Sequence, residues 1–298
     1  MQFSGEIAAL ATAYCWSWTA IFFTAAGIRI GSFSVNVIRL AIACILLSFT
    51  TIFLMGTDVL GWYAGGSIPI LVLSGVIGLA LGDAALFRAL ILIGPRKTTL
   101  IFAITPIITS LIGWIFLNEE LRLQSWIAIA VTIVGITYVI SERSSTGFKA
   151  KAGYTGWGIL FALLAALGQA VGLILSKMGM ADQVDPLPAT LLRIVSGMVI
   201  LLIYMTAIQK TGLIMKSFTN GKAMLLVFGG SVFGPFAGVW LSVIAVRYTE
   251  TGIASTLMST VPIMILPAAY LIYKERITLR TLVGTVIAIG GIAMLFLR

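Results

Sequence analysis

Two stretches of this 298-residue chain are versions of one another. Residues 105–119 read TPIITSLIGWIFLNE and residues 261–275 read VPIMILPAAYLIYKE. A constant offset of 156 carries Pro106 onto Pro262, Ile107 onto Ile263, Glu119 onto Glu275 and Leu123 onto Leu279. Continued without a gap, it carries Gly78 onto Gly234, Gly82 onto Gly238, Ala89 onto Ala245 and Gly135 onto Gly291. Identity this sparse, held in register over about seventy residues, points to duplication of a whole structural unit rather than of a short motif.

The duplicated material is apolar. Hydrophobic residues make up 60% of the chain and charged ones 10%, against roughly 25% charged in soluble proteins. So few charges cannot coat a water-soluble surface, so lipid is the expected solvent. A membrane span takes about 20 mainly apolar residues, and ten such runs are centred near residues 16, 45, 80, 107, 131, 166, 198, 235, 262 and 288. The expected fold is all-α and integral to the membrane, with ten transmembrane helices. The polar run ERSSTGFKAKAGYTG, residues 142–156, reads as a linker. This divides the chain into a first five-helix unit, 1–141, a linker, 142–155, and a second five-helix unit, 156–298. An odd number of spans per unit inserts the second from the opposite face, giving inverted repeats with a site near the midplane between them.

The first apolar run has no basic leader ahead of Glu6 and continues to about Ala26, so it reads as a span rather than a cleaved signal. Cys15 and Cys44 both sit within spans and suggest no disulfide framework. The net charge of +9 is scattered over short loops without a basic stripe, which speaks against nucleic acid as a partner. Arg29, Arg96, Lys97, Arg143, Lys149, Lys151, Lys210, Lys216, Lys222, Lys274, Arg276 and Arg280 all fall in alternate connections on one side. The other side and the termini hold only Arg122, Lys177, Arg247 and Arg298. By the positive-inside rule both termini lie outside, and the expected location is a prokaryotic inner membrane.

Four features together resemble the EamA family of the drug/metabolite transporter superfamily, over essentially the whole chain. They are the two proline-to-acid stretches; ALLAALGQAVGLILSK at 162–177; Arg39 and Arg193 near the start of the second span of each unit; and the connections FRALILIGPRKTTLIFAITPI and AVRYTETGIASTLMSTVPI. The resemblance implies a ten-helix secondary transporter of small metabolites with a central cavity, one that exports amino acids or related compounds by alternating access. It also implies relatives that carry nucleotide sugars, sugar phosphates or lipid-linked sugars.

Asp83 lies deep in the third span, and an acid there costs on the order of 3 kcal/mol by insertion scales. It reads either as a proton-coupling carboxylate or as the ion-pair partner of a basic side chain such as Arg39. Tyr14 and Trp18 share a helix face, suited to stacking a flat substrate or to packing on a neighbouring helix. Gln169 stands at the place equivalent to Trp18 and needs hydrogen-bond partners. Trp240 is next to the position equivalent to Asp83. Thr98, Phe102, Thr105 and Thr109 form one stripe, and Ser255 and Ser259 another beside Met258; such hydroxyls serve helix packing or a polar cavity wall. The expected substrate-binding residues are thus Tyr14, Trp18, Asp83, Thr98, Phe102, Gln169, Trp240, Ser255 and Met258. Pro106 and Pro262 cannot donate to the helix ladder and read as hinges. Gly78, Gly82, Gly234 and Gly238 suit close helix packing. Arg39 and Arg193 read as anchors of helix ends, or as sites for an anionic cargo. Glu119 and Glu275, at span ends, read as helix caps or as partners of Arg122 and Arg280.

The sequence has no histidine, no metal-ligand spacing and no phosphate-binding loop. It therefore suggests no enzyme, metal or cofactor; a membrane-embedded lipid-modifying transferase is the distant alternative. Gly135, Gly284, Gly290 and Gly291 in the peripheral spans permit either a monomer or a homodimer.

Overall fold

Among the described residues, glycine and proline punctuate a succession of helices. The structure, a computed structural model, describes residues 3–58, 61–63, 67–140, 155–180, 184–209, 211–264 and 278–296. Helices α1 (Ser4–Ile30) and α2 (Ser32–Met55) are separated by Gly31 alone, whose φ of 79° turns the chain at little steric cost. A continuous helix then runs through α3 (Ser67–Gly75), a π-helical segment π1 (Val76–Gly82) and α4 (Asp83–Phe102). Next come α5 (Thr105–Leu117), α6 (Leu123–Ile140), α7 (Thr155–Gly179) and α8 (Pro186–Ala207). The Asp185 side chain caps α8 by accepting from the Leu187 amide, with proline at the first helical position. After the short α9 (Thr211–Ser217), α10 (Gly221–Ser231), a second π segment π2 (Val232–Gly238) and α11 (Val239–Tyr248) again form one continuous helix. Helices α12 (Thr251–Met258), α13 (Val261–Met264) and α14 (Leu279–Phe296) complete the described residues.

The expectation of ten spans in two inverted five-helix repeats is corrected here. Among the described residues six helices are long and apolar enough to cross a membrane: Ser4–Gly27, Phe33–Met55, Ser67–Ala89, Gly156–Gly179, Pro186–Ala207 and Gly221–Tyr248. The runs near 107, 131 and 288 form the shorter apolar helices Thr105–Leu117, Leu123–Tyr138 and Leu282–Leu295. The 13 residues of α5 rise only about 20 Å, short of the roughly 30 Å of a hydrocarbon core. Composition counts apolar residues and does not see where the helix breaks. Ahead of α5 the break is a turn at Ala103–Ile104, just before Pro106. The run near 262 is divided between α12 and α13 and then passes outside the described residues. With six such helices among the described residues, the odd-number argument for opposed insertion loses its premise.

The offset of 156 survives as local geometry. It carries π1 onto π2, residue for residue. In both, the amide after the segment donates five residues back, Asp83 to the Gly78 carbonyl and Val239 to the Gly234 carbonyl. Such segments insert one residue into the helical register and re-aim the turns beyond it, often at functional sites. In π2 the interior Pro235 supplies a cause, because it has no amide to donate.

The paired glycines pack as expected. A Cβ on Gly168 of α7 would stand 2.9 Å from the Gly82 Cα, and one on Gly172 would stand 2.9 Å from the Gly78 Cα, so α7 and π1 meet backbone to backbone. A Cβ on Gly234 would meet Thr19 at 2.8 Å, and one on Gly238 would meet the Trp16 ring at 2.6 Å. Helices α6 and α14 join through Gly135, Gly284, Ala288 and Gly291. Large apolar side chains such as Phe53, 77% exposed, and Phe116 cover the outside, as a surface against lipid requires. The linker 142–155 lies outside the described residues except for Thr155, as does Glu275.

Candidate functional site

A cavity of about 1140 Å³ lies among α2, the π1–α4 helix, α7 and α8. Its wall is largely apolar: Phe33, Ile77, Leu81, Phe87, Phe161 and Leu164 are among the side chains that face it. Among the described residues, Arg88 is the one charged residue of the lining. These residues come from the beginnings of α2 and α7, the middle of the π1–α4 helix and the end of α8, so the cavity lies toward one end of the bundle.

Asp83 stands between the lining residues Gly82 and Ala84, directly after π1. Its carboxylate forms an ion pair with the Arg39 guanidinium, the partner that the sequence suggests. Arg39 Nε donates to the Asn36 side-chain oxygen at 2.9 Å, and the Phe23 and Phe87 rings stand 5.7 and 5.2 Å from its guanidinium carbon. A carboxylate, an amide and two ring faces thus hold one cation. Neither Arg39 nor Arg193 anchors a helix end at the interface; both are buried.

The opposite end of the same helices is knit by polar bonds. Lys177 Nζ, at the end of α7, donates to Glu119 Oε1 at 2.6 Å and to the Thr249 carbonyl at 2.8 Å. Glu119 Oε2 accepts from the amide and the hydroxyl of Thr251, at 2.8 and 2.7 Å, so it caps α12 from across the bundle. The sequence offers Glu119 a local cap or Arg122; the tertiary fold gives it Lys177 and Thr251. Thr249 in turn donates to Glu6 at 3.0 Å. Arg247 donates to the carbonyls of Met180 and Val184, both at 2.8 Å, and the Tyr63 hydroxyl to the Pro188 carbonyl at 3.0 Å. Burial pushes the Tyr63 phenol up to about 12.

The other sequence-chosen residues fall into separate groups. Tyr14 and Trp18 share a face, with ring centroids 6.4 Å apart, and continue as a ladder through Phe22 and Phe233 of π2. Trp240 packs against Phe236, and Gln169 is half-buried on α7. Thr109 donates to Ser255 at 3.3 Å, joining α5 to α12. Met258 and Thr98 are buried, and Phe102 is half-buried at the end of α4. Pro106 is buried at the start of α5; Pro262 lies in α13, its side chain outside the described residues. None of the nine substrate-binding choices is among the lining residues, though Asp83 adjoins them. That lining is mostly Ala, Gly, Leu and Phe, which carry no signal in an apolar sequence. Ser34, Asn36, Arg88 and Tyr204 are its polar exceptions.

An apolar chamber toward one end of a helix bundle, a buried ion pair at its wall and a bonded seal at the other end define a polytopic membrane protein built around an internal binding space. Among the described residues no group of three or more His, Cys, Asp or Glu could hold a metal ion. The chain belongs to the EamA-like transporter family, whose model matches residues 3–141 and 156–297. It is a multi-pass integral membrane protein and a secondary transporter of small molecules. A solved structure titled "Crystal structure of protein" is 16% identical, with a TM-score of 0.82 over 100% of this chain and 98% of the other, so the two share a fold. No curated protein matches the sequence.

Proposed function

We propose that the chain exports small metabolites, amino acids or related compounds, by opening the two ends of its bundle alternately. The supporting observation is the contrast between those ends: a cavity toward one, and a bonded latch of Glu119, Lys177, Thr249 and Thr251 at the other. By the distribution of basic loop residues the cavity end faces the cytoplasm of a prokaryotic cell and both termini lie outside. When the latch opens, the seam between α5 and α12, with Thr109, Ser255 and Met258, becomes the outer vestibule. The break at Ala103–Ile104 with Pro106 is the hinge on the first half, and Pro262 its counterpart. The two family-matched stretches are the units that move, joined by 142–155. The glycines of α6 and α14 already pack on each other within one chain, which favours a monomer.

Asp83 is the coupling carboxylate in this scheme. Protonation removes the charge that holds Arg39 and frees the cavity wall beside π1. A reconstituted protein should then accumulate substrate in response to a pH gradient, and Asp83→Asn should lose that response while remaining folded. Gradient-driven transport unchanged in Asp83→Asn would remove proton coupling from the scheme.

A further inference from the structure

Arg193 carries a charge that the fold does not answer. It stands about two turns into α8 and is 3% exposed. Its Nε and Nη1 are buried with no hydrogen-bond partner. A guanidinium stays protonated at physiological pH, so it cannot relieve its burial by neutralising, and an unpaired buried charge is strongly unfavourable. Asp83 is close enough to act on it electrostatically, but that carboxylate is committed to Arg39. Arg39, Asp83 and Arg193 together leave one surplus positive charge.

The guanidinium stands at the back of the cavity wall. Helix α8 approaches α3 so closely that a Cβ on Gly75 would lie 2.2 Å from the Arg193 carbonyl oxygen. The side chain then reaches along π1. A Cβ on Gly78 would lie 3.6 Å from Arg193 Nη2 and 3.7 Å from the Gly168 carbonyl oxygen. Gly168 and Ile77 both line the cavity, so the guanidinium lies behind a glycine floor. Arg88 makes the lining itself positive.

We infer that Arg193 is the carboxylate-binding residue of the carrier, and that the substrate is a monoanion with an apolar body. The carboxylate supplies the partner that Nε and Nη1 lack once the glycine floor parts, and the apolar wall takes the rest of the molecule. One negative charge cancels the surplus, whereas a phosphate dianion would leave the same low-dielectric site negative. This inference rests on the transport reading above and names the chemical class of its substrate.

The test uses the purified full-length protein, with the monoanions N-acetyl-L-leucine and N-acetyl-L-phenylalanine, the neutral N-acetyl-L-phenylalaninamide and glucose 6-phosphate as probes, and the variants Arg193→Gln and Arg193→Met. The two acids should bind and raise the melting temperature, the amide should not, and Arg193→Gln should weaken acid binding by about two orders of magnitude. Without any probe, both variants should melt above the unmodified protein, because the uncompensated charge is gone. The acid–amide comparison needs no variant. Equal binding of acid and amide, or of acids by the unmodified protein and Arg193→Gln, would overturn the carboxylate site and leave the amino-acid carrier standing. Arg193-dependent binding of glucose 6-phosphate without either acid would overturn both the carboxylate assignment and the amino-acid reading. Should no probe bind, the melting comparison decides: variants that melt below the unmodified protein show that the charge is compensated internally and sink the inference.

Discussion

Removing the Glu119 carboxylate should unfasten the sealed end of the bundle. Glu119 receives three hydrogen bonds, from Lys177 at 2.6 Å and from the Thr251 amide and hydroxyl at 2.8 and 2.7 Å. Hydrogen bonds to charged groups contribute about 1.5–3 kcal/mol each, but those sharing one carboxylate do not add. Taking one partner from a buried pair costs about 3–5 kcal/mol. The Lys177 side chain is 24% exposed against 9% for Glu119, and it keeps the Thr249 carbonyl, so the lower figure, about 3 kcal/mol, applies. At about 1.4 kcal/mol per factor of ten, Glu119→Ala should raise the population with an open latch about a hundredfold. Ser110 reports on that opening, because it is 2% exposed and lies under the start of α12, where a Cβ on Gly252 would come within 2.0 Å of its hydroxyl. With Cys15 and Cys44 replaced by serine, Ser110→Cys should react slowly with a maleimide, and about a hundredfold faster when Glu119→Ala is added. Glu119→Gln, whose amide oxygen still accepts from the Thr251 amide, should fall between the two. Equal labelling rates with and without Glu119→Ala would refute the latch.

Packing and titration give two further expected outcomes. Gly172→Ala puts a methyl 2.9 Å from the Gly78 Cα and should lower stability by about 1–3 kcal/mol, whereas Gly290→Ala, with nothing within 4 Å of its Cβ, should be neutral or stabilising by about 0.5 kcal/mol; equal unfolding curves for the two in detergent would contradict the helix contact. Tyr63 keeps its proton in the folded protein up to about 12, while the unfolded chain loses it near the ordinary 10, so the unfolded state binds fewer protons between those values. Stability should therefore fall across that alkaline range, less steeply in Tyr63→Phe, and identical slopes for the two proteins would remove burial as the cause.

Much of the site's framework is legible in the residues. Asp83 is conspicuous as an acid in an apolar helix, with Arg39 a natural partner, and the structure pairs them. The glycines at 78 and 82 and at 234 and 238 read as close contacts and are close contacts. Those features are legible because their physics is local: an intramembrane charge is costly wherever it lies, and a missing Cβ admits a neighbour whichever helix supplies it. The cavity wall is not legible, because Ala84, Phe161 or Leu164 look the same whether they face lipid, a core or a chamber.

The amino-acid order alone determined that this chain lives in a membrane and that it belongs among carriers, since charge density and motif spacing do not depend on how helices meet. Only the tertiary structure decided how many helices are long enough to cross and where π1 and π2 shift the register. It alone gave Glu119 to Lys177 and Thr251 and left Arg193 buried without a partner for Nε and Nη1. Each of those depends on where a helix breaks or on which distant group lies within about 3 Å. Spacing along a chain does not carry distances across it.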